Sequence, residues 1–427
     1  MEKTRKLSTS LTDSKFSGWG WSMIIYAMLM YFFFALIGTD GQNLFPRAFA
    51  GVYGHDPNVL LGYATPAGIV GIVGGFLFAR LLMKKSVRNL SALALIITGI
   101  AVIVWSYCSS IPMYLILLMV IMFCSSGLSF VAPTLMADWF PRKKGVALGW
   151  ATIGAPLSSS FGVLGFSALL QNFGFHTAFL VLGIIVIVIG VVSFFWVKDD
   201  PSKVGQLPDN MDPALGDKLL AEAGQEVIVD DPNLTAGKVL KTGNTWLIAI
   251  GYGFLWMVTT GVVSQLIPRM ISVGYTEGEA TMFLTISSII AIPGSYFWGW
   301  LDSKVGTKLA SVIYSVSYIV ALIILILASS PVLIWIGCIF IGLGLGGILN
   351  LIPSMTVTAF GKEGFKQANS IIMTIASLIR VLAFLLMSIC LVISHGDYTI
   401  PYIAFIIVDI IGAILLFLIR TKKKHEA

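Results

Sequence analysis

Residues 176–197 read HTAFLVLGIIVIVIGVVSFFWV, and the centre of that stretch, Ile184 to Val192, carries neither a charge nor any alternation of polar and apolar side chains. A helix of about 20 such residues covers the hydrocarbon core of a bilayer. Inside a bilayer the backbone polar groups find no water, so a crossing must be a helix or part of a closed barrel. Barrel strands alternate with period two, and this stretch does not. It is predicted to be a membrane-spanning helix.

Working outward from it, comparable stretches lie at 20–47, 59–82, 90–109, 112–137, 145–170, 245–270, 279–301, 309–329, 331–358, 367–393 and 399–420. With 176–197 they make twelve expected spans, an all-α integral membrane fold. Composition agrees: the 427 residues are 57% hydrophobic and 11% charged, with a mean hydropathy of +0.91. A soluble domain carries roughly a quarter of its residues as charges. The first apolar stretch, after Lys3, Arg5, Lys6 and Lys15, is too long for a signal peptide and is expected to be retained as span one.

The net charge of +6 and pI near 9.0 do not imply a nucleic-acid partner, because the basic residues fall in short clusters between spans. Of the 27 lysines and arginines, all except Arg47, Arg269 and Arg380 lie in the N-terminal tail, the alternate loops on its side or the C-terminal tail. Positive residues stay on the cytoplasmic side. Both termini are therefore expected to be cytoplasmic and the chain a multi-pass protein of the plasma membrane. The four cysteines, Cys108, Cys124, Cys338 and Cys390, sit inside apolar runs without metal-ligand spacing and read as small core hydrophobes. Neither a metal nor a cofactor is implied.

Residues 198–244 are the only long polar stretch, and they divide the chain into an N-terminal six-helix bundle (1–197), a cytoplasmic linker and a C-terminal six-helix bundle (245–427). The two halves repeat one another. Asn43-Leu-Phe-Pro46-Arg47 corresponds to Gln265-Leu-Ile-Pro268-Arg269; Gly127, Pro133 and Phe140 correspond to Gly347, Pro353 and Phe360; Gly75-x-Leu77 corresponds to Gly299-x-Leu301. The near-constant offset argues for internal duplication. Parallel six-helix repeats place a solute site at their interface, near the bilayer midplane.

The segment Gly299-Trp-Leu-Asp302-Ser-Lys304-Val-Gly306-Thr-Lys308 resembles the Gly-x-Leu-Ala-Asp-Arg-x-Gly-Arg-Lys loop of the major facilitator superfamily, with the aspartate displaced by one position. The first-half copy has Ala79 and Leu82 at the Asp and Gly places. The resemblance implies two pseudo-symmetric six-helix bundles, a monomer, and a cytoplasmic latch at Gly299, Asp302, Lys304, Gly306 and Lys308. Trp139-Phe-Pro-Arg-Lys-Lys-Gly145, Gly174-Phe-His-Thr-Ala-Phe179, Gly205-x-x-Pro208-Asp209 and Leu240-Lys-Thr-x-x-x-Trp246 resemble oxalate/formate antiporters and related monocarboxylate transporters. That resemblance implies transport of carboxylate anions, coupled to protons or to a counter-anion.

An ionisable residue at midspan costs at least about 2.5–3.5 kcal/mol and marks a functional site by default. Arg380 lies at the centre of 367–393, too deep to reach the interface, with Ala376, Ser377, Ala383 and Phe384 beside it at helical spacing. A guanidinium binds a carboxylate through two parallel hydrogen bonds, and the position resembles the span-eleven cation of oxalate/formate antiporters. A structural pairing with a carboxylate such as Asp40 is the alternative. Span eight (279–301) contains no lysine or arginine, unlike oxalate carriers, so a monoanion with a bulkier organic body is expected. Asp40, Gln42 and Asn43 break an apolar helix and read as a cavity wall, with Asp40 the candidate for proton coupling or, equally, a helix-end charge. Ser126, Ser129, Ser264, Gln265, Asn350 and Ser377 complete the expected solute-binding set. Arg47 and Arg269 read either as gate or anion-attracting charges or as interface anchors. Asp409 sits in a span that usually lies outside the cavity. All four histidines fall in loops, in the tail or, for His176, at the very end of a span.

The competing reading is a drug or other organic-solute efflux antiporter of the same superfamily. Its cavity would be dominated by acids, whereas the deepest charge here is an arginine. No His-Glu-x-x-His or Gly-x-Ser-x-Gly occurs, and an enzyme is not expected.

Overall fold

A computed structural model of the chain describes residues 16–82, 84–140, 144–210, 235–328 and 330–419. Among the described residues the regular structure is helical throughout. Eleven helices are long and apolar enough to cross a membrane: Gly18–Asn43, Pro57–Leu82, Val87–Trp105, Ile111–Trp139, Val146–Phe173, Phe175–Trp196, Gly243–Ser264, Glu277–Val305, Thr307–Leu327, Gln367–Ile393 and Thr399–Phe417. A bent pair, Pro331–Leu345 with Ile348–Gly361 at 43°, supplies the remaining crossing. These are the twelve expected spans, numbered one to twelve in chain order with the bent pair as span ten.

Spans one and seven end earlier than their hydropathy suggests, and for the same reason. Span one closes in a 3₁₀ turn at Asp40–Asn43, and a new helix, Phe45–Tyr53, starts with Pro46 in its first turn. Span seven ends at Ser264, Gln265 leaves helical geometry (φ −126°, ψ 16°), and Leu266–Ser272 follows with Pro268 near its start. Proline lacks an N–H and fits the first turn of a helix but not its interior. The duplicated motif therefore makes the same break in both halves.

By contacts the described chain forms two compact units. The first takes in Met1–Gly38, Val73–Ser158 and Phe173–Val227; the second takes in Thr39–Ile72, Ser159–Asn172 and Ile228–Ala427. The final parts of spans one and five and the opening of span two thus belong with the second unit.

In the first unit, spans three and six meet backbone to backbone. A Cβ on Gly99 would lie 2.6 Å from the Gly183 carbonyl oxygen, and one on Gly183 would lie 2.7 Å from that of Gly99. With lipid on the outside, such close approach of small residues is what draws helices together. Gly154 of span five abuts the backbone carbonyl of Met28 in span one in the same way. Polar cross-links add to this: Tyr26 donates to Ser91 Oγ at 2.7 Å, and Trp196 Nε1 donates to Ser22 Oγ.

Residues 198–210, the opening of the expected linker, pack against this unit. Trp139 Nε1 donates to the Lys198 carbonyl at 2.8 Å and Ser17 Oγ to Gln206 Oε1 at 2.7 Å. Asp199 accepts from Ser86 Oγ at 2.7 Å, from the Arg88 N–H at 2.8 Å and from Lys203 Nζ at 2.9 Å. Partial burial would raise the Asp199 carboxyl, but those donors outweigh it and its pKa lies below the usual carboxylate value. The linker's middle, including most of its acids, lies outside the described residues.

In the second unit, span seven is the most enclosed, with 78% of its most apolar window buried against 33% for span twelve. Span seven is central and span twelve peripheral.

Two outcomes follow from this packing. Gly154→Val destabilises the protein by at least about 1–3 kcal/mol through overpacking, read as a lower unfolding temperature in detergent. Gly149→Ala, where an added Cβ meets nothing within 4 Å, does not. Asp199→Asn lowers the unfolding temperature at neutral pH. Because the folded pKa of Asp199 is depressed, its contribution is full above the unfolded pKa and is lost as pH falls through the folded one. The gap between wild type and variant therefore closes on acidification below the ordinary carboxylate pKa. A gap that widened in acid would contradict this linkage.

Candidate functional site

Span eleven is gripped at its middle from two sides. Thr65 Oγ1 of span two donates to the Val381 carbonyl at 2.8 Å, and a Cβ on Gly68 would lie 2.9 Å from Val381 Cγ1. From span seven, a Cβ on Gly253 would lie 2.8 Å from Ile379 Cδ1. Arg380 projects from this clamp. Its guanidinium stands over the ring of Trp256 on span seven, 5.1 Å from the ring centroid. Its Nε–H is buried without an acceptor. Among the described residues no carboxylate lies within ion-pair distance of it, so the pairing with Asp40 is not made.

The magnitudes give this arrangement a meaning. Taking an ion out of water costs several kcal/mol even after relaxation, while a cation–π contact returns about 0.5–2 kcal/mol. Trp256 therefore offsets only part of the cost, and the remaining stabilisation falls to water or to an anion. Ser377, one turn earlier on the same face, is half-buried.

The other expected site residues separate into three groups. Asp40, Gln42, Asn43, Ser264 and Gln265 are all buried, between 0% and 4% exposed, and most of them are bound to one another. Asn43 Nδ2 donates to the carbonyls of Asp40 and Val263, both at 3.0 Å, and its Oδ1 accepts from the Ile267 N–H at 3.2 Å. Gln265 Nε2 donates to the carbonyls of Gln42 (3.1 Å) and Ser264 (2.9 Å), and its Oε1 accepts from Tyr398 at 3.1 Å. Ser264 Oγ donates to the Gly261 carbonyl. Two side-chain amides thus stitch the broken end of span one to the broken end of span seven. Thr285 and Ser160 exchange hydroxyl-to-carbonyl bonds at 3.1 and 3.4 Å, and Ser167 donates to Glu277 at 2.9 Å. Every bond of this seam lies toward the face opposite the start of span one, called the far face below.

A second group sits toward the other ends of the spans. Asp302 Oδ2 accepts from Ser354 Oγ at 2.5 Å, Thr307 Oγ1 and Ser354 Oγ are 3.0 Å apart, and Lys308 reaches the Ile419 carbonyl and the Phe417 ring. Gly306, at φ +83°, ends span eight with its N–H on the Asp302 carbonyl. Of the expected latch residues, Asp302 and Gly306 are joined by that bond, whereas Lys308 points to span twelve; Lys304 is exposed, and Gly299 faces open space. Asn350 is exposed and ties span ten to span eight through the Ser295 carbonyl at 3.0 Å.

The third group, Ser126 and Ser129, belongs to the first unit, half-buried, with Ser129 Oγ on the Ser126 carbonyl at 2.8 Å. Asp409 is 1% exposed; its Oδ2 accepts from Ser315 at 3.0 Å, and its Oδ1 has no partner.

Trp256 and Tyr398 are functional neighbours that sequence reasoning passed over. An indole in the middle of span seven, away from either interface belt, was the available signal. Its partner Arg380 is more than a hundred residues away, and nothing local announces the pairing.

The family model for the Major Facilitator Superfamily matches residues 16–384 and 270–427. The chain is 25% identical over 324 residues to the inner membrane transport protein RhmT of Escherichia coli (strain K12), across 73% of this chain and 70% of that one. It is 26% identical over 238 residues to the oxalate:formate antiporter of Oxalobacter formigenes, across 52% and 50%. Among solved structures it resembles a bacterial homologue of the human lysosomal transporter Spinster in an inward-facing, occupied conformation, with TM-score 0.71, 14% identity, and 92% and 95% of the two chains covered. It also resembles a D-xylose-proton symporter, with TM-score 0.70, 12% identity, and 93% and 96% covered. At such identities these structures speak for the fold.

Asn43→Leu leaves the buried Ile267 N–H without its side-chain acceptor, at about 1–3 kcal/mol, and removes one of the two donors to the Val263 carbonyl. A thermal melt in detergent is expected to show this loss. An unchanged melt would mean that the seam does not hold these two helix ends together.

Proposed function

The chain belongs to the major facilitator superfamily, so it is a multi-pass membrane transporter working by alternating access, and from that premise we propose that its cargo is a small organic carboxylate carried as a monoanion. One observation carries this reading: the guanidinium of Arg380, deep in span eleven, has an aromatic neighbour and no carboxylate partner among the described residues. A cargo carboxylate supplies the missing counter-charge through two parallel hydrogen bonds. The indole of Trp256 offers an apolar wall to the organic body of the same molecule. The relative named for oxalate and formate exchange supports anions as the cargo class. The absence of lysine and arginine from 279–301 argues against clamping a compact dianion at both ends.

The cycle this implies is proton symport or anion exchange. With both termini cytoplasmic, as the placement of basic residues favours, the far face is extracellular. The seam of Asn43, Gln265 and Tyr398 then acts as the closed outer gate, and Asp40, buried in that gate, is the proposed coupling carboxyl. Opening the gate exchanges the amide bonds of Asn43 and Gln265 for bonds to water, a near-even trade for hydrogen bonds and therefore one that a modest differential in ligand binding can bias. Asp302, Ser354 and Lys308 act as the latch at the cytoplasmic ends.

Counterflow into proteoliposomes with a panel of mono- and dicarboxylates tests the assignment. Arg380→Gln is expected to weaken half-saturation by about tenfold or more, equivalent to at least ~1.4 kcal/mol, with Arg380→Lys retaining part of the transport. Unchanged affinity in Arg380→Gln, or a strong preference for oxalate over monocarboxylates, would overturn it.

A further inference from the structure

The two copies of the duplicated motif meet at the far face around a cavity of about 220 Å³, lined by Gln42, Pro46 and Arg47 from one copy and by Gln265 and Pro268 from the other. Asn58, at the start of span two, Ser272 and Tyr398 add further polar side chains to its wall. We propose that this cavity is a second carboxylate-binding site, distinct from the Arg380 site, which captures the anion at the far face before the seam beneath it opens.

The symmetry between the two copies is broken at their arginines. Arg47 and Arg269 are equivalent in sequence, but their surroundings differ. Arg269 is half-buried, donates from Nη2 to the Leu325 carbonyl at 2.9 Å and stands over the Tyr398 ring. It is committed to holding span nine and the loop before span twelve. Arg47 is exposed at the cavity and has no carboxylate partner among the described residues. Of the two copies, only Arg47 contributes its charge to the cavity wall.

The second observation is independent of charge. Gln42 is 1% exposed, and neither its amide nitrogen nor its amide oxygen has a partner. A buried amide left unmade costs about 1–3 kcal/mol, and Gln42 lines this cavity. The backbone carbonyl of the same residue is already taken by Gln265 Nε2. Together the wall offers a guanidinium and the amides of Gln42 and Asn58, a donor-rich set around one positive charge. An anion with two acceptor oxygens matches it. The volume lies below the roughly 300–1,000 Å³ of sites for drug-sized ligands, which limits the occupant to a small molecule. Acids in the flanking loops do not compete: Asp56 accepts from the Asn58 N–H at 2.8 Å and Asp397 from the Thr399 N–H and hydroxyl, both at 2.9 Å, and neither lines the cavity.

The choice of ligand rests on the carboxylate reading above, but the residues are different, and this separates the two claims. Acetate binding is measured by ligand-observed NMR on the full chain in phosphatidylcholine nanodiscs, then in nanodiscs containing phosphatidylglycerol. Arg380→Gln is expected to retain a weaker acetate isotherm, which Arg47→Gln in the same background abolishes and Arg47→Lys restores. Loss of all acetate binding in Arg380→Gln overturns the second site and leaves the first standing. Binding that survives in the Arg47→Gln, Arg380→Gln double variant also overturns it. If Arg47→Gln alone abolishes binding, the far-face site stands and the Arg380 assignment falls. If Arg47→Gln matters only when phosphatidylglycerol is present, the cavity holds a lipid headgroup and the proposal is wrong.

Discussion

A peptide group in hydrocarbon has no water to bond, and this constraint organises the molecule before any side chain does. Each crossing must satisfy its own N–H and C=O groups, so each is a helix. Where the chain departs from helical geometry, something else in the protein takes over the exposed groups. At the end of span one the Asn43 amide takes the Asp40 and Val263 carbonyls and the Ile267 N–H; at the end of span seven Gln265 does the equivalent for Gln42 and Ser264. The same two residues that repair the breaks thereby join them. Backbone satisfaction and the joining of the two helix ends are one set of bonds.

The hydrophobic effect supplies little specificity between helices when lipid is as apolar as their side chains. Contact then depends on how closely backbones can approach. Gly99 with Gly183, Gly154 with Met28, and Gly253 with Ile379 are such points. They also fix where Arg380 stands, because Gly253, Gly68 and Thr65 hold span eleven immediately around it. The position of this half-buried charge is therefore a packing outcome.

Much of the fold was legible in the sequence because bilayer thickness imposes a length on apolar runs, and because loops on one side concentrate lysine and arginine. The duplicated Pro46-Arg47 and Pro268-Arg269 motifs likewise foretold a shared break. Hydropathy failed at that break: Phe45, Phe49, Leu266 and Ile267 are apolar enough to extend a span on paper, and proline geometry ended it sooner. The anchoring of residues 198–210 was not legible because it is made by single, ordinary bonds from Trp139, Ser17 and Ser86. Of the candidate site, Arg380 was readable from burial cost alone. Its neighbour Trp256 was not, since pairing between distant spans leaves no local pattern. Asn43 and Gln265 were identified as polar breaks near a cavity, but their bonds to each other's helix ends join distant spans and leave no local pattern.

The joint between spans ten and eleven has a mechanical consequence. Helix runs from Ile348 to Ile393 with a single residue at positive φ, Gly361 (φ 75°, ψ 174°), where the chain turns. A reversal made by so few residues leaves no slack. Ser354, which holds Asp302, is two turns before that elbow, and Arg380 lies some five turns after it. The arm that carries the hydroxyl–carboxylate contact and the arm that carries the midspan charge are thus joined as rigidly as the two limbs of a crank, with no intervening loop between them.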